Sequence, residues 1–248
     1  MKAFFTYLWI QFKMDLRNKG ILLTFYFTPV VFFLVTGSVF TSTSPLLKAT
    51  LAASMTIYSA TMGAIIGAPT PLVNMRESGT MRAYKVNGIP GVATLFVSAV
   101  SAFIHLFIVS VIIYAVSPAA FHSDLPRSPG LYFAVLAVFL FASVGVGMLI
   151  GVFARGHTFA TMLSMLIFLP SLLLSGIMFP ASMLPGALAW AGRIFPATYA
   201  LQSLYGYAYH METDINAGVS LCIIAGIGLF AFFLAAWRLD RVSKSESM

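Results

Sequence analysis

The sequence predicts an all-α integral membrane protein with six transmembrane helices. An N-terminal interfacial amphipathic helix precedes them, and a re-entrant outer helical hairpin lies between spans five and six. Three observations predict this class. Of 248 residues, 60% are hydrophobic and only 8% charged, with a mean hydropathy of +0.94, whereas soluble domains carry about 25% charged residues. Stretches free of Asp, Glu, Lys and Arg recur along the chain, each long enough for the ~20 residues that cross a bilayer. The basic residues also sort to one side. So much apolar surface excludes disorder, and a single cysteine, Cys222, excludes an internal disulfide. The isoelectric point near 9.7 reflects topology. No basic groove with stacking aromatics is visible, so nucleic acid is not an expected partner.

Residues 1–19 carry charges throughout and lack the apolar core of a cleavable signal peptide. Phe4, Phe5, Leu8, Trp9, Phe12 and Leu16 recur at helical spacing, with Lys2, Lys13, Arg17 and Lys19 placed for headgroups. The segment reads as an inner-surface helix or as a plain charged anchor. The charge-free stretches then place spans near 21–40, 49–69, 91–116, 131–152, 158–178 and 215–237. Six spans put 11 of the 14 basic residues on one side and leave Lys48, Arg127 and Arg193 on the other. A seventh span at 180–211 would make the split 8 against 6. Six spans with both termini in the cytoplasm, in the cytoplasmic (inner) membrane, are therefore expected.

The spans hold no Asp, Glu, Lys or Arg in their centres. Gradient-driven carriers place ionisable groups there, and ion channels need charged rings or carbonyl filters. Neither pattern is present, nor is a carboxylate pair or a Gly-x-Ser-x-Gly motif for proteolysis. A Gly-x-x-x-x-Gly-Lys-Ser/Thr phosphate loop is absent, so energy for uphill transport must come from another subunit. His105, His122, His157 and His210 lie in separate segments without metal-ligand spacing. His105, in span three, reads as a neutral imidazole bonded to a neighbouring helix through Ser or Thr, or as a wall of a substrate path. Gly63/Gly67 and Gly147/Gly151 form Gly-x-x-x-Gly pairs, suited to core packing or to a dimer seam.

Two segments carry more information. Residues 72–88 alternate apolar Leu72, Val73, Met75, Met81 and Tyr84 with Arg76, Glu77, Arg82 and Lys85 before Gly88 and Pro90. One short amphipathic helix at the cytoplasmic face is expected, as a docking surface or a solvated loop. Residues 179–210 are too apolar for water and are interrupted by Pro180, Pro185 and Pro196. They suit a pair of short helices dipping into the outer leaflet, lining a pathway or serving structure alone. Trp190, Tyr199, Tyr205, Tyr207 and Tyr209 are placed for headgroup level.

Arg76-Glu77-Ser78-Gly79-Thr80 with Gly88-Ile89-Pro90 resembles the coupling-helix region of type-2 ATP-binding-cassette exporter permeases. Leu174 to Pro180, Leu184-Pro185 and Phe195-Pro196-Ala197-Thr198-Tyr199 are similar to that family's outer hairpin. The resemblance implies a half-transporter that pairs with a second permease copy and rests on a nucleotide-binding ATPase subunit. ATP and Mg would be bound by that subunit, with no cofactor on this chain and no catalytic residue in it. Glu77 and Gly79 map to the coupling segment, with Arg76, Arg82, Thr80 and Tyr84 grouped beside them. Glu77→Ala and Gly79→Pro are then expected to abolish ATP-dependent transport. Pathway candidates are Phe25, Tyr26, Phe32, Tyr58, His105, Phe168 and Phe179. This apolar, aromatic set suits a hydrophobic or amphipathic drug, antibiotic or peptide better than a polysaccharide or lipid-linked glycan. A non-transporting sensor or scaffold is the alternative outside transport.

Overall fold

The computed structural model describes residues 2–43, 45–180 and 183–245. Residues 1, 181 and 182, which belong to the expected surface helix and hairpin, lie outside that set. Every described element is helical. Helix α1 (Lys2–Arg17) leads into α2 (Lys19–Ser42) through Asn18, whose side chain caps α2 by accepting from the Gly20 and Ile21 amides. A short α3 (Pro45–Ala49) precedes α4 (Leu51–Glu77), and α5 (Thr80–Val86) follows it. Then come α6 (Gly91–Phe121), α7 (Pro129–Phe153) and α8 (His157–Leu174). Two short helices, α9 (Gly186–Gly192) and α10 (Pro196–Tyr207), precede α11 (Ala217–Ser245). Among the described residues, α2, α4, α6, α7, α8 and α11 are long and apolar enough to span a membrane.

The bundle is built around α4. Its apolar window is 89% buried, against 22% for that of α8. Glycines set the closest approaches. A Cβ on Gly147 would lie 2.0 Å from the Ala64 carbonyl oxygen, and one on Gly151 would lie 3.2 Å from the Pro69 Cα. Thus α7 meets α4 backbone to backbone. On α4 itself, Gly63 faces Leu106 and Phe25, and Gly67 faces the same Phe25 ring. Both Gly-x-x-x-Gly pairs are therefore occupied within this chain, which removes them as a free dimer seam.

Both α2 and α4 contain a π-helical turn, at Leu23–Phe27 and Gly63–Gly67. A π turn widens the backbone ladder and exposes a carbonyl. In α4 the Ile65 carbonyl takes a 2.6 Å bond from the Ser164 hydroxyl of α8. Phe25, from the other π turn, fills the space beside Gly63 and Gly67.

The structure corrects two boundaries. The 72–88 stretch is two pieces, because α4 runs on to Glu77 and a turn at Ser78 and Gly79 separates it from α5. Gly79 adopts φ +74, a conformation that glycine reaches without the strain a side chain would meet. Span five stops at Leu174 rather than 178, with Gly176 in the same left-handed region. The 179–210 segment holds α9 and α10, with Pro185 at the N-cap of one and Pro196 in the first turn of the other. Thr198 donates to the Gly192 carbonyl and Tyr199 to that of Arg193, closing the turn between them. Helix α10 packs inward on α7 and α11, with Ala197, Ala200, Leu201 and Leu204 buried. Trp190 is exposed, whereas Tyr209 is buried and the Tyr205 hydroxyl faces Ser54 of α4.

Helix α1 reverses part of the sequence expectation. Phe5, Trp9, Met14 and Leu16 face away from the bundle, as an interfacial helix requires. Its polar Gln11 and Asp15 are buried against α6.

Candidate functional site

One end of the bundle gathers the last turn of α4, helix α5, the α7–α8 turn and the end of α11. Arg76, Glu77, Arg82, Lys85, Arg155 and Leu239 line a cleft of about 420 Å³ there. Arg76 is half-buried and points inward. Its Nη1 donates to the carbonyls of Gly151 (3.1 Å), Val152 (3.0 Å) and Ala154 (3.0 Å). These are the carbonyls that the end of α7 leaves without helical partners, and a cation there also meets the negative end of the helix dipole. Glu77 accepts at Oε1 from the His157 amide, 3.0 Å away, at the start of α8. A carboxylate suits that positive helix end. Neighbouring residues of α4 thus clamp both sides of the turn between spans four and five.

Helix α5 stands beyond this clamp. Thr80 is tied to Ser78 by a 2.8 Å hydroxyl contact, and Tyr84 meets Tyr7 of α1 edge to face at 5.5 Å. Arg82, Ala83, Lys85 and Val86 make the exposed side, Val86 with 83% of its surface free. Arg155 and the α11 residues Arg238 and Arg241 lie at the same end. Arg238 sits over the Phe153 ring at 5.6 Å, and Arg241 over Trp237 at 4.1 Å.

The expected pathway residues fall into three groups. Tyr58 of α4 stacks on Phe32 of α2 at 4.0 Å and lies 6.0 Å from Phe168 of α8. Met62 lies beside this aromatic row, accepting at sulfur from the Tyr58 hydroxyl. Phe25, Tyr26 and His105 form a second cluster. Its His105 ring is fully buried, stacked on Phe12 at 4.5 Å and on Phe25 at 5.7 Å. Phe179 stands apart and exposed at the far end, near Pro180. Within one chain, Phe25, Tyr58, His105 and Phe168 are packed rather than open to a channel.

Comparison with known families decides between the readings of this architecture. The family described as ABC-2 type transporter matches residues 2–209. The chain belongs to the ABC-2 type transporter family. It is a transmembrane component of an ABC-type transporter, and the matched family is a membrane domain rather than a nucleotide-binding one. ABC-2 permeases generally work with an ATPase subunit and often dimerise. A curated relative, ABC transporter G family member 20 of Dictyostelium discoideum, is 25% identical over 130 residues. That stretch is 50% of this chain and 17% of the relative, so the chain spans well under two thirds of that protein's length.

For this ABC-2 permease the structure revises two site readings. Arg76 and Glu77 are turned toward the α7–α8 turn rather than outward. His105 is partnered by a tyrosine, since the Tyr26 hydroxyl lies 2.6 Å from its Nδ1, and not by Ser or Thr. The residues the sequence reading missed are Tyr7, Gln11 and Asp15. They lie at i, i+4 and i+8 on α1, a polar stripe that is visible once polar periodicity is counted alongside the apolar one.

Proposed function

We propose that this chain is the permease half of an ATP-driven exporter. Two copies, alike or related, pair around the pathway, and each rests on a separate ATPase subunit that binds ATP and Mg. The basic end carrying α5 faces the cytosol of the inner membrane, together with both termini. The observation that carries this reading is the build of that end. The exposed side of α5, with Arg82, Lys85 and Val86, projects beside a clamped turn between spans four and five. An exposed valine among basic groups suits a protein partner better than water. The positive-inside rule places the same end in the cytosol. The ABC transporter name of the Dictyostelium relative agrees with an ATP-driven role.

The aromatic row of Phe32, Tyr58 and Phe168 would supply the pathway wall once a second copy and the moving spans open a path beside it. Such a wall takes a hydrophobic or amphipathic molecule, a drug, antibiotic or peptide, and aromatic faces also tolerate a cationic group. Helices α9 and α10, with Pro180, Pro185, Pro196 and Tyr199, cap the outer end. Closure of the ATPase pair would move α5 and the clamped turn together and rock the spans between inward-open and outward-open states.

Val86→Glu combined with Arg82→Glu tests the docking face. Co-purified ATPase is expected to fall at least ~10-fold, the equivalent of about 1.4 kcal/mol, while the permease stays monodisperse. Unchanged recovery of the ATPase would remove α5 from the docking role. Accumulation of a broad drug panel in cells with and without the pair tests the substrate class. Equal accumulation of every compound would count against a hydrophobic cargo.

A further inference from the structure

Asp15 is buried in α1 with its carboxylate on α6. Oδ2 accepts from the Ser101 hydroxyl at 2.6 Å, and Oδ1 accepts from the Gln11 amide at 2.8 Å. His105 Nε2 lies 3.8 Å from Oδ2, beyond hydrogen-bond distance, and this buried nitrogen has no other partner. On the other side of the ring, Nδ1 meets Tyr26. With the tyrosine hydroxyl donating there, the ring hydrogen sits on Nε2 and points toward the carboxylate.

A cleft of about 270 Å³ separates α1 from α4 and α5 and reaches Asp15. Asn18, Asn74, Ser78, Thr80 and Tyr84 line it, and no Lys or Arg does so among the described residues. The titratable groups facing Asp15 and His105 are therefore Tyr7 on α1, Tyr84 on α5 and Tyr26 on α2. Phe12 and Phe25 close the remaining faces of the imidazole. A buried carboxylate with no cation in contact is costly when ionised. An unpaired buried N–H beside it needs a reason to persist.

We propose that Asp15 and His105 form a proton-binding site open to the cleft at the α5 end. Water in the cleft gives one proton to the Asp15 carboxylate and takes it back. With the proton bound, a neutral acid sits under α1, held by Ser101 and Gln11. With the proton released, the carboxylate draws the His105 Nε2 hydrogen across the open gap, and α1 shifts on α6 with it. Because Tyr84 of α5 packs on Tyr7 of α1, the shift reaches the docking face. Burial alone already pushes the Asp15 carboxyl up from its ordinary range, against the opposing bonds from Ser101 and Gln11. The sign follows from that direction. Asp15 supports the packed α1 most at acidic pH, and the support is lost as pH rises through the raised value.

Infrared difference spectroscopy on the full chain in lipid nanodiscs tests the site. Labelling with 13C-aspartate confines the carboxyl signal to Asp15, Asp124, Asp214 and Asp240. A protonated-acid carbonyl band is expected to bleach as pH rises, with a midpoint above the ordinary carboxylate range. Asp15→Asn should abolish it. His105→Phe keeps the ring stack and removes both nitrogens, and should raise the midpoint by about one pH unit. Ser101→Ala removes a donor to the ionised form and should raise it similarly. Should Asp15→Asn fail to fold, the last two variants carry the test. The proposal is overturned if no such band appears at any pH, or if His105→Phe leaves the midpoint unmoved.

Discussion

Gly147→Val is expected to leave almost no folded permease in the membrane. The nearest atom to a new Cβ at this position is the Ala64 carbonyl oxygen, at 2.0 Å, and the Ala64 carbonyl carbon follows at 3.0 Å. Backbone cannot swing aside as the tip of a side chain can. Relief would require α7 to move off α4, the most buried span, and so to disturb the bundle's central contact. Overpacking typically costs about 1–3 kcal/mol and more where nothing can yield. A typical folded domain has only about 5–15 kcal/mol of net stability. Detergent extraction followed by size-exclusion chromatography should show Gly147→Val in aggregates or degraded. Gly226→Ala, where a Cβ would meet nothing within 4 Å, should behave as the unaltered chain. A monodisperse Gly147→Val at normal yield would mean that α4 and α7 do not approach this closely.

The contrast between those two glycines also marks what could be read in advance. The existence of six spans was legible because length and hydropathy are local properties, and a bilayer imposes the same demand on each segment. The break at Gly79 was less so. Arg76 to Tyr84 is a good amphipathic pattern, and one left-handed residue divides it. The Gly-x-x-x-Gly pairs announced close approach but not the partner. Ala64, Phe25 and Leu106 are neighbours only through tertiary packing.

At the site, the sequence pointed to Arg76 and Glu77 through their charge and missed their direction. What they touch lies 75 to 80 residues away along the chain, so no periodicity reports it. His105 stood out for the same reason that Asp15 did not. A histidine in an apolar run is conspicuous, while an aspartate among lysines and arginines reads as part of a wet surface. Only packing shows that α1 turns its polar stripe inward, with Phe12 beside it, and Phe5, Trp9, Met14 and Leu16 outward.

The clamp at the α7–α8 turn leads to the second large effect. Arg76→Ala should cut ATP-dependent transport by at least ~10-fold at matched surface expression. It removes three bonds from one guanidinium and leaves the end of α7 with carbonyls that lack a protein partner. Bonds of this kind are each worth about 1.5–3 kcal/mol and do not add, so a loss of about 2–3 kcal/mol in holding that turn is expected. Glu77 then separates two mechanisms. If it works by capping the His157 amide, Glu77→Gln keeps an accepting oxygen and should retain most transport. Glu77→Ala, which has none, should lose most of it. If Glu77 instead worked through its charge on a cation of the ATPase, the glutamine variant would fail as badly as the alanine. The geometry favours the cap, because the carboxylate already sits at a helix start within its own chain. In that case the motif acts on the partner indirectly. On the proposed coupling to an ATPase, it would fix the turn between spans four and five, so that α5 and the α7–α8 turn move as one piece.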